Sequence, residues 1–212
     1  DRFEREARAL ARLTGRPGIL VARELGVGDD GLAWLVTDLL PGGSLADRMA
    51  GAGASGLTAA EVLPVGIAVA GALADAHGRG VVHGDLSPSN VLVDGAGRAV
   101  LADFGSALVQ VGDGDAGLTP AFAAPERLGG GAPTPASDVA GLGAVLWAAS
   151  TGRPPDDGAT TRLAVDAAGP PRGLAEVLRA CCDPSPGARP TATEVRRRLD
   201  RERRRRGGLR QR

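Results

Sequence analysis

The sequence contains no lysine: all 25 basic side chains among its 212 residues are arginines. Chemistry that needs a primary amine, whether a Schiff base or an ammonium reaching a phosphate, is therefore closed to the chain's own side chains. Tyrosine is absent as well, and aromatic residues make up 2% of the chain, so a core must be built from Leu, Val and Ala in thin layers. Two cysteines occur, adjacent at Cys181 and Cys182. They are too few for a disulfide framework or a four-cysteine zinc site and fit a reducing, cytoplasmic setting, with at least one buried on a helix. No apolar run approaches the roughly 18 to 20 residues that cross a bilayer, and the first residues are charged and amphipathic, so neither a leader nor a membrane segment is expected.

What is present is a hydrophobic fraction of 43%, high enough for a folded core, in a length that suits one substantial domain or two small lobes sharing a cleft. Ala, Gly, Pro and Arg are abundant, which suggests a GC-rich gene, and against that bias the single asparagine, Asn90, stands out. Net charge is zero but uneven. Residues 196–212 hold ten arginines against Asp200 and Glu202, leaving about −8 on the first 195 residues. With no base-reading motif and no interleaved aromatics, this basic tail reads as a solvated helix end and terminus, and no nucleic-acid partner is expected.

Along the chain, FEREARALARL places Phe3, Ala7, Leu10 and Leu13 at helical spacing. Residues 19–27 and 32–39 read as strands joined by the turn GDDG, and Ser44 can cap a short helix toward Met49. From Thr58, with Glu61 completing a capping box, a long helix carries Val62, Val65, Val69, Leu73 and His77 on one face. Residues 91–93 and 100–102 flank the turn DGAGR as a hairpin, a polar loop follows from Asp103 to Glu126, and helices are expected over 137–150, 174–182 and 191–203.

The chemistry concentrates between residues 83 and 105. Asp85 near the end of a turn, Asn90 opening a strand and Asp103 beyond the hairpin can converge at one hairpin end. A carboxylate and an amide oxygen are hard ligands suited to Mg²⁺, and Asp85 could accept a proton from an attacking hydroxyl. HGDLSPSNVLV, then ADFG, TPAFAAPE, SDVAGLGAVLW and DPSPGARPT together resemble the eukaryotic-type protein kinase family as found in bacteria.

That resemblance implies an α+β, two-lobe kinase-like fold with a truncated small lobe of one helix and two strands and a mainly helical large lobe. The expected divisions are a small-lobe remnant over 1–38, a hinge over 39–45, a large lobe over 46–203 and an Arg-rich tail over 204–212. It implies ATP and Mg²⁺ as cofactors and a protein substrate offering Ser or Thr. Asp85 matches the catalytic aspartate, Asn90 and Asp103 the metal ligands, and Glu6 the glutamate that pairs with a phosphate-binding lysine. Thr37 matches the gatekeeper, Asp38, Leu39 and Leu40 the hinge, and Leu92 the floor under adenine. His83, Phe104 and Leu10 match a stacked apolar spine anchored by Asp138, and Glu126 and Arg189 match a buried ion pair. Pro88 and Thr119 follow the serine/threonine pattern.

The chain departs from that pattern in four places. The glycine-rich loop and the lysine strand have no counterpart, since five residues precede Glu6. Ser87 stands where the family has a lysine that contacts the transferring phosphate. Gly84 stands where many relatives have an arginine that clamps a phosphorylated activation loop. That loop offers Ser106 and Thr119, and no phosphorylation switch is expected. Weak transfer, a non-catalytic partner-binding role, and a small-molecule phosphotransferase of the aminoglycoside type, suggested by HGDL, are the alternatives.

Overall fold

A computed structural model describes residues 12–29, 33–104, 118–153, 155 and 169–209. The first helix, with Glu6 and Leu10, lies outside the described residues except for its helical end at residues 12 and 13, and Ser106 lies outside them as well.

Two strands, β1 (Ala22–Val27) and β2 (Ala33–Thr37), pair antiparallel, and a register shift between Ala22 and Glu24 takes Arg23 out of the ladder. The displaced Arg23 forks onto Asp38, its Nε donating to Oδ1 at 2.6 Å and its Nη2 to Oδ2 at 3.0 Å. Gly26 lies under the Trp34 indole, at a point where any Cβ would collide with the ring. Among the described residues this sheet has two strands, and Val27, Trp34, Leu35 and Val36 stay exposed on it.

Below the sheet the chain crosses into a second, larger body. Ser44 caps α1 (Leu45–Ala52) in a reciprocal box with Asp47. The next helix, α2 (Ala59–His77), opens on the expected Thr58 and Glu61 box and buries Val62, Val65, Val69 and Leu73. At 19 residues and a mean hydropathy of 1.5, α2 is long and apolar enough to span a bilayer by length and composition alone, a longer apolar stretch than the sequence reading allowed for. Here it is the central core helix, packed by α6 (Ala192–Leu209), α4 (Pro135–Thr151) and β4 (Ala99–Leu101).

The hairpin of β3 (Val91–Val93) and β4 is flanked on both sides. Gly42 N donates to Val93 O and Val93 N to Gly43 O, while Leu20 N donates to Leu101 O and Leu101 N to Gly18 O. Residues 42 and 43 and the segment before β1 are thus stitched to the hairpin. Gly42 is required there, because a Cβ would sit 2.7 Å from Val93 O.

The expected loop before Glu126 contains a 3₁₀ turn at Pro120–Phe122 and reaches a short helix, α3 (Pro125–Leu128). In both, proline at the first turn presets the backbone. Helices α4 and α5 (Arg172–Cys181) meet closely at Gly143, where a Cβ would fall 2.6 Å from Cys182 Sγ. Both cysteines are buried. Burial pushes the Cys182 thiol up to about 12 and raises that of Cys181 further still. The core is built on Leu, Val and Ala, with Phe104 its one fully buried aromatic among the described residues.

Candidate active site

One buried carboxylate organises the site from beneath. Asp138, on the first turn of α4, is 2% exposed. Its Oδ2 accepts from His83 N at 2.8 Å and its Oδ1 from Gly84 N at 2.8 Å. His77 Nε2, at the end of α2, lies 2.8 Å from the same Oδ2. Three partners satisfy a charge whose burial would otherwise be costly, and they fix the backbone of the loop one residue before Asp85. Gly84 takes φ 84°, a conformation suited to glycine.

The His83 side chain completes the loop's seat. Its Nε2 is 2.8 Å from Ala102 O, and its Nδ1 accepts from Asp85 N at 3.3 Å, a pattern that assigns the proton to Nε2. The ring packs against Phe104, with centroids 4.9 Å apart at 57°. His83 is therefore a packing and hydrogen-bonding residue, and it couples the 83–85 backbone to the segment carrying Asp103.

Asp85 is half-buried. Thr119 N donates to its Oδ1 at 2.8 Å, and Thr119 Oγ1 to its Oδ2 at 3.3 Å. Asn90 Nδ2 donates to Asp85 O at 2.9 Å, and Ala102 N donates to Asn90 O at 2.8 Å. With Val91 paired to Leu101, Asn90 and Ala102 face each other across the hairpin end, and Asp103 follows at once. The expected convergence of Asp85, Asn90 and Asp103 at one hairpin end is thus present in the backbone. Asp103 is exposed at φ 58°, a left-handed conformation that aspartate adopts more readily than most side chains.

This donor set fits a hard divalent cation. The Asn90 amide nitrogen is committed to Asp85 O, which leaves the amide oxygen free to ligate a cation, and the Asp103 carboxylate makes no hydrogen bond to a described residue. Two hard oxygens without competing partners suit Mg²⁺, which fills its remaining positions with water and phosphate oxygens.

The remaining residues singled out from the sequence lie at the end of β2 and just beyond it, on β3, and before the turn Pro88–Asn90. Thr37 ends β2, half-buried. The Asp38 carboxyl is held below its ordinary range by the Arg23 hydrogen bonds, so its side chain is taken and only its backbone can face a ligand. Leu39 is 90% exposed, whereas Leu40 and Leu92 are half-buried, Leu92 bridging to Ser44. Ser87 is buried and precedes the 3₁₀ turn Pro88–Asn90, its carbonyl accepting from Asn90 N at 3.1 Å. Glu6 lies outside the described residues.

Farther out, Arg189 forks onto Glu126 at 2.5 and 2.9 Å and also donates to Ala136 O and Asp183 O. Burial works to raise the Glu126 carboxyl, but hydrogen bonds and charge from Arg189 outweigh it and hold it below its ordinary range.

Two contacts were not legible in the sequence. Thr119 lies 34 residues from Asp85, and His77 lies 61 residues from Asp138. Neither spacing carries a periodic or local signal.

Comparison with known proteins matches the family described as the protein kinase domain over residues 1–198. The serine/threonine-protein kinase PknK of Mycobacterium tuberculosis is 37% identical over 193 residues, covering 89% of this chain and 16% of that protein. PkaA of Streptomyces coelicolor is 37% identical over 215 residues, covering 93% of this chain and 39% of its own length. This chain therefore spans well under half of these relatives. Among solved structures, the kinase domain of M. tuberculosis PknI aligns with a TM-score of 0.75 at 29% identity, over 94% of this chain and 77% of that one.

Proposed function

This chain belongs to the protein kinase family, and on that premise we propose that it transfers the γ-phosphoryl group of ATP to serine or threonine hydroxyls of protein substrates. The observation that carries the reading is the arrangement of Asp85, Asn90 and Asp103 at one hairpin end over the buried Asp138 anchor.

In this reading the Asp85 carboxylate orients the acceptor hydroxyl and takes its proton as oxygen bonds to the γ-phosphorus and the bond to the β,γ-bridging oxygen breaks. Thr119 holds both Asp85 oxygens in place before the substrate arrives. Asn90 and Asp103 would hold Mg²⁺, which supplies neutralisation of phosphate charge. The backbone from Asp38 to Leu40 would meet the adenine edge and Leu92 its face, beside Thr37. The Ser/Thr assignment is supported by the names of the bacterial relatives and by Pro88 and Thr119. The two unpaired thiols support a reducing, cytoplasmic setting.

Ser87, standing where the family has a lysine, favours a second reading, in which the same fold binds a partner without transferring phosphate. Transfer of labelled phosphate from ATP to a generic protein acceptor, compared between the native chain and Asp85→Asn, separates the two. Catalysis predicts slow transfer abolished by the substitution; a signal equal in both proteins, or none in either, favours the partner-binding role.

A further inference from the structure

The C-terminal helix carries charge that the catalytic reading leaves unused. On α6, Glu194 pairs with Arg198 at 2.8 Å, Asp200 with Arg203 at 2.9 Å and Arg204 at 2.8 Å, and Glu202 with Arg206 at 2.7 Å. Every acid of this helix is thereby engaged. Arg201 and Arg205 are exposed and make no hydrogen bond or ion pair with any described residue. Four residues apart, they stand over one another on one face, a like-charge spacing that destabilises a helix.

That face borders a groove. Arg198, Arg201, Glu202 and Arg205 line one wall and Gly173, Glu176 and Val177 of α5 the other, around a cavity of about 170 Å³. Gly173 lets the two walls meet closely at one end of the groove, because a Cβ there would run into the Glu202 carboxylate. The two acids at the rim are neutralised locally, Glu176 by Arg172 and Glu202 by Arg206, so Arg201 and Arg205 give the groove its surplus positive charge.

The size and chemistry select the occupant. A cavity of this volume lies below the roughly 300 to 1,000 Å³ of small-molecule sites and suits one side-chain-sized group. Two planar guanidinium forks without partners match a dianionic phosphate better than a single carboxylate. A nucleic acid would want aromatic rings for its bases, and a bilayer would want apolar side chains to insert. The exposed large apolar residues among those described are on the small sheet, the hinge and α3, and none is on α5 or α6.

We infer that the α5–α6 groove docks a single phosphoserine or phosphothreonine of a protein partner between Arg201 and Arg205, with Arg198 at its edge. The inference rests on the kinase reading only for the origin of the phosphorylated side chain, since docking involves no transfer step.

The test is fluorescence polarisation of the 212-residue chain with a short labelled peptide containing one phosphothreonine, its unphosphorylated twin, a single-stranded oligonucleotide and phosphatidylserine vesicles. The phosphopeptide is expected to bind at least about tenfold more tightly than its twin. Arg201→Ala/Arg205→Ala is expected to remove that advantage, and Arg12→Ala/Arg16→Ala, which removes equal charge elsewhere, to keep it. Equal binding of the two peptides, an unaffected groove variant, or preference for the oligonucleotide or vesicles would overturn the inference. Because phosphate transfer is assayed separately, failure of docking and failure of the kinase reading are distinguishable.

Discussion

At the scale of single residues the site depends on how few groups hold Asp85. Thr119 alone engages its carboxylate among the described residues, through a backbone N–H and a hydroxyl. In an active, complete kinase, Thr119→Ala should slow transfer, Thr119→Ser should restore it, and an acidic residue at 119 should not, because the hydroxyl acts as a donor and not as a phosphorylation site. Steady-state rates of the three variants check this. Ser87→Lys should raise the transfer rate by roughly tenfold or more with little change in KM for ATP, since one donor at developing charge is commonly worth about 10² to 10³ in rate. An unchanged rate would mean that the position does not face the transferring phosphate. The Glu126 and Arg189 pair is structural: Arg189→Ala should cost about 3 to 5 kcal/mol in denaturant unfolding, because it strands a partly buried carboxylate. The Glu126 carboxyl is held below its unfolded value, so its contribution is fully present above the unfolded pKa near 4.5 and is lost as pH falls through the folded value. Glu126→Gln should flatten that part of the acid profile.

At the scale of elements, packing is tight where small residues let helices approach. Gly143→Ala should destabilise by about 1 to 3 kcal/mol in urea unfolding, because the added methyl meets Cys182 Sγ and Cys181 Cβ in a closed α4–α5 contact. Much at this scale was legible in the sequence. The Thr58 and Glu61 box located the start of α2 and its apolar spacing the buried face, while DGAGR located the hairpin, with its second strand one residue earlier than expected. The last helix was expected to stop at Arg203 and runs to Leu209, since the Asp200–Arg204 and Glu202–Arg206 pairs support turns that composition alone marks as loose. The placement of Asp85, Asn90 and Asp103 together was legible because they sit within one hairpin's reach along the chain. Thr119 and His77 were not, because tertiary packing alone brings them to their partners.

At the scale of the whole molecule the two bodies differ in how they are held. The larger one closes around α2 with α4 and α6, while the small sheet leaves Trp34, Leu35 and Val36 exposed on two strands. Amide hydrogen exchange should accordingly be fastest in β1 and β2 and slowest in α2 and α4, since local stability follows buried apolar contact. Equal protection in both bodies would contradict that division. Ser87 bears on the same scale, because it leaves out one cationic contact to phosphate that the family pattern implies, while Asp85, Asn90, Asp103 and the Asp138 anchor remain. The measurement that tests the central claim most directly is phosphate transfer from Mg·ATP to a protein acceptor by the native chain and by Asp85→Asn, with thermal melting as a control for folding. The kinase reading predicts slow but measurable transfer that falls by about 10² to 10⁴ in the variant at an unchanged melting temperature. Transfer that survives the substitution, or is undetectable in a folded native chain, would contradict it.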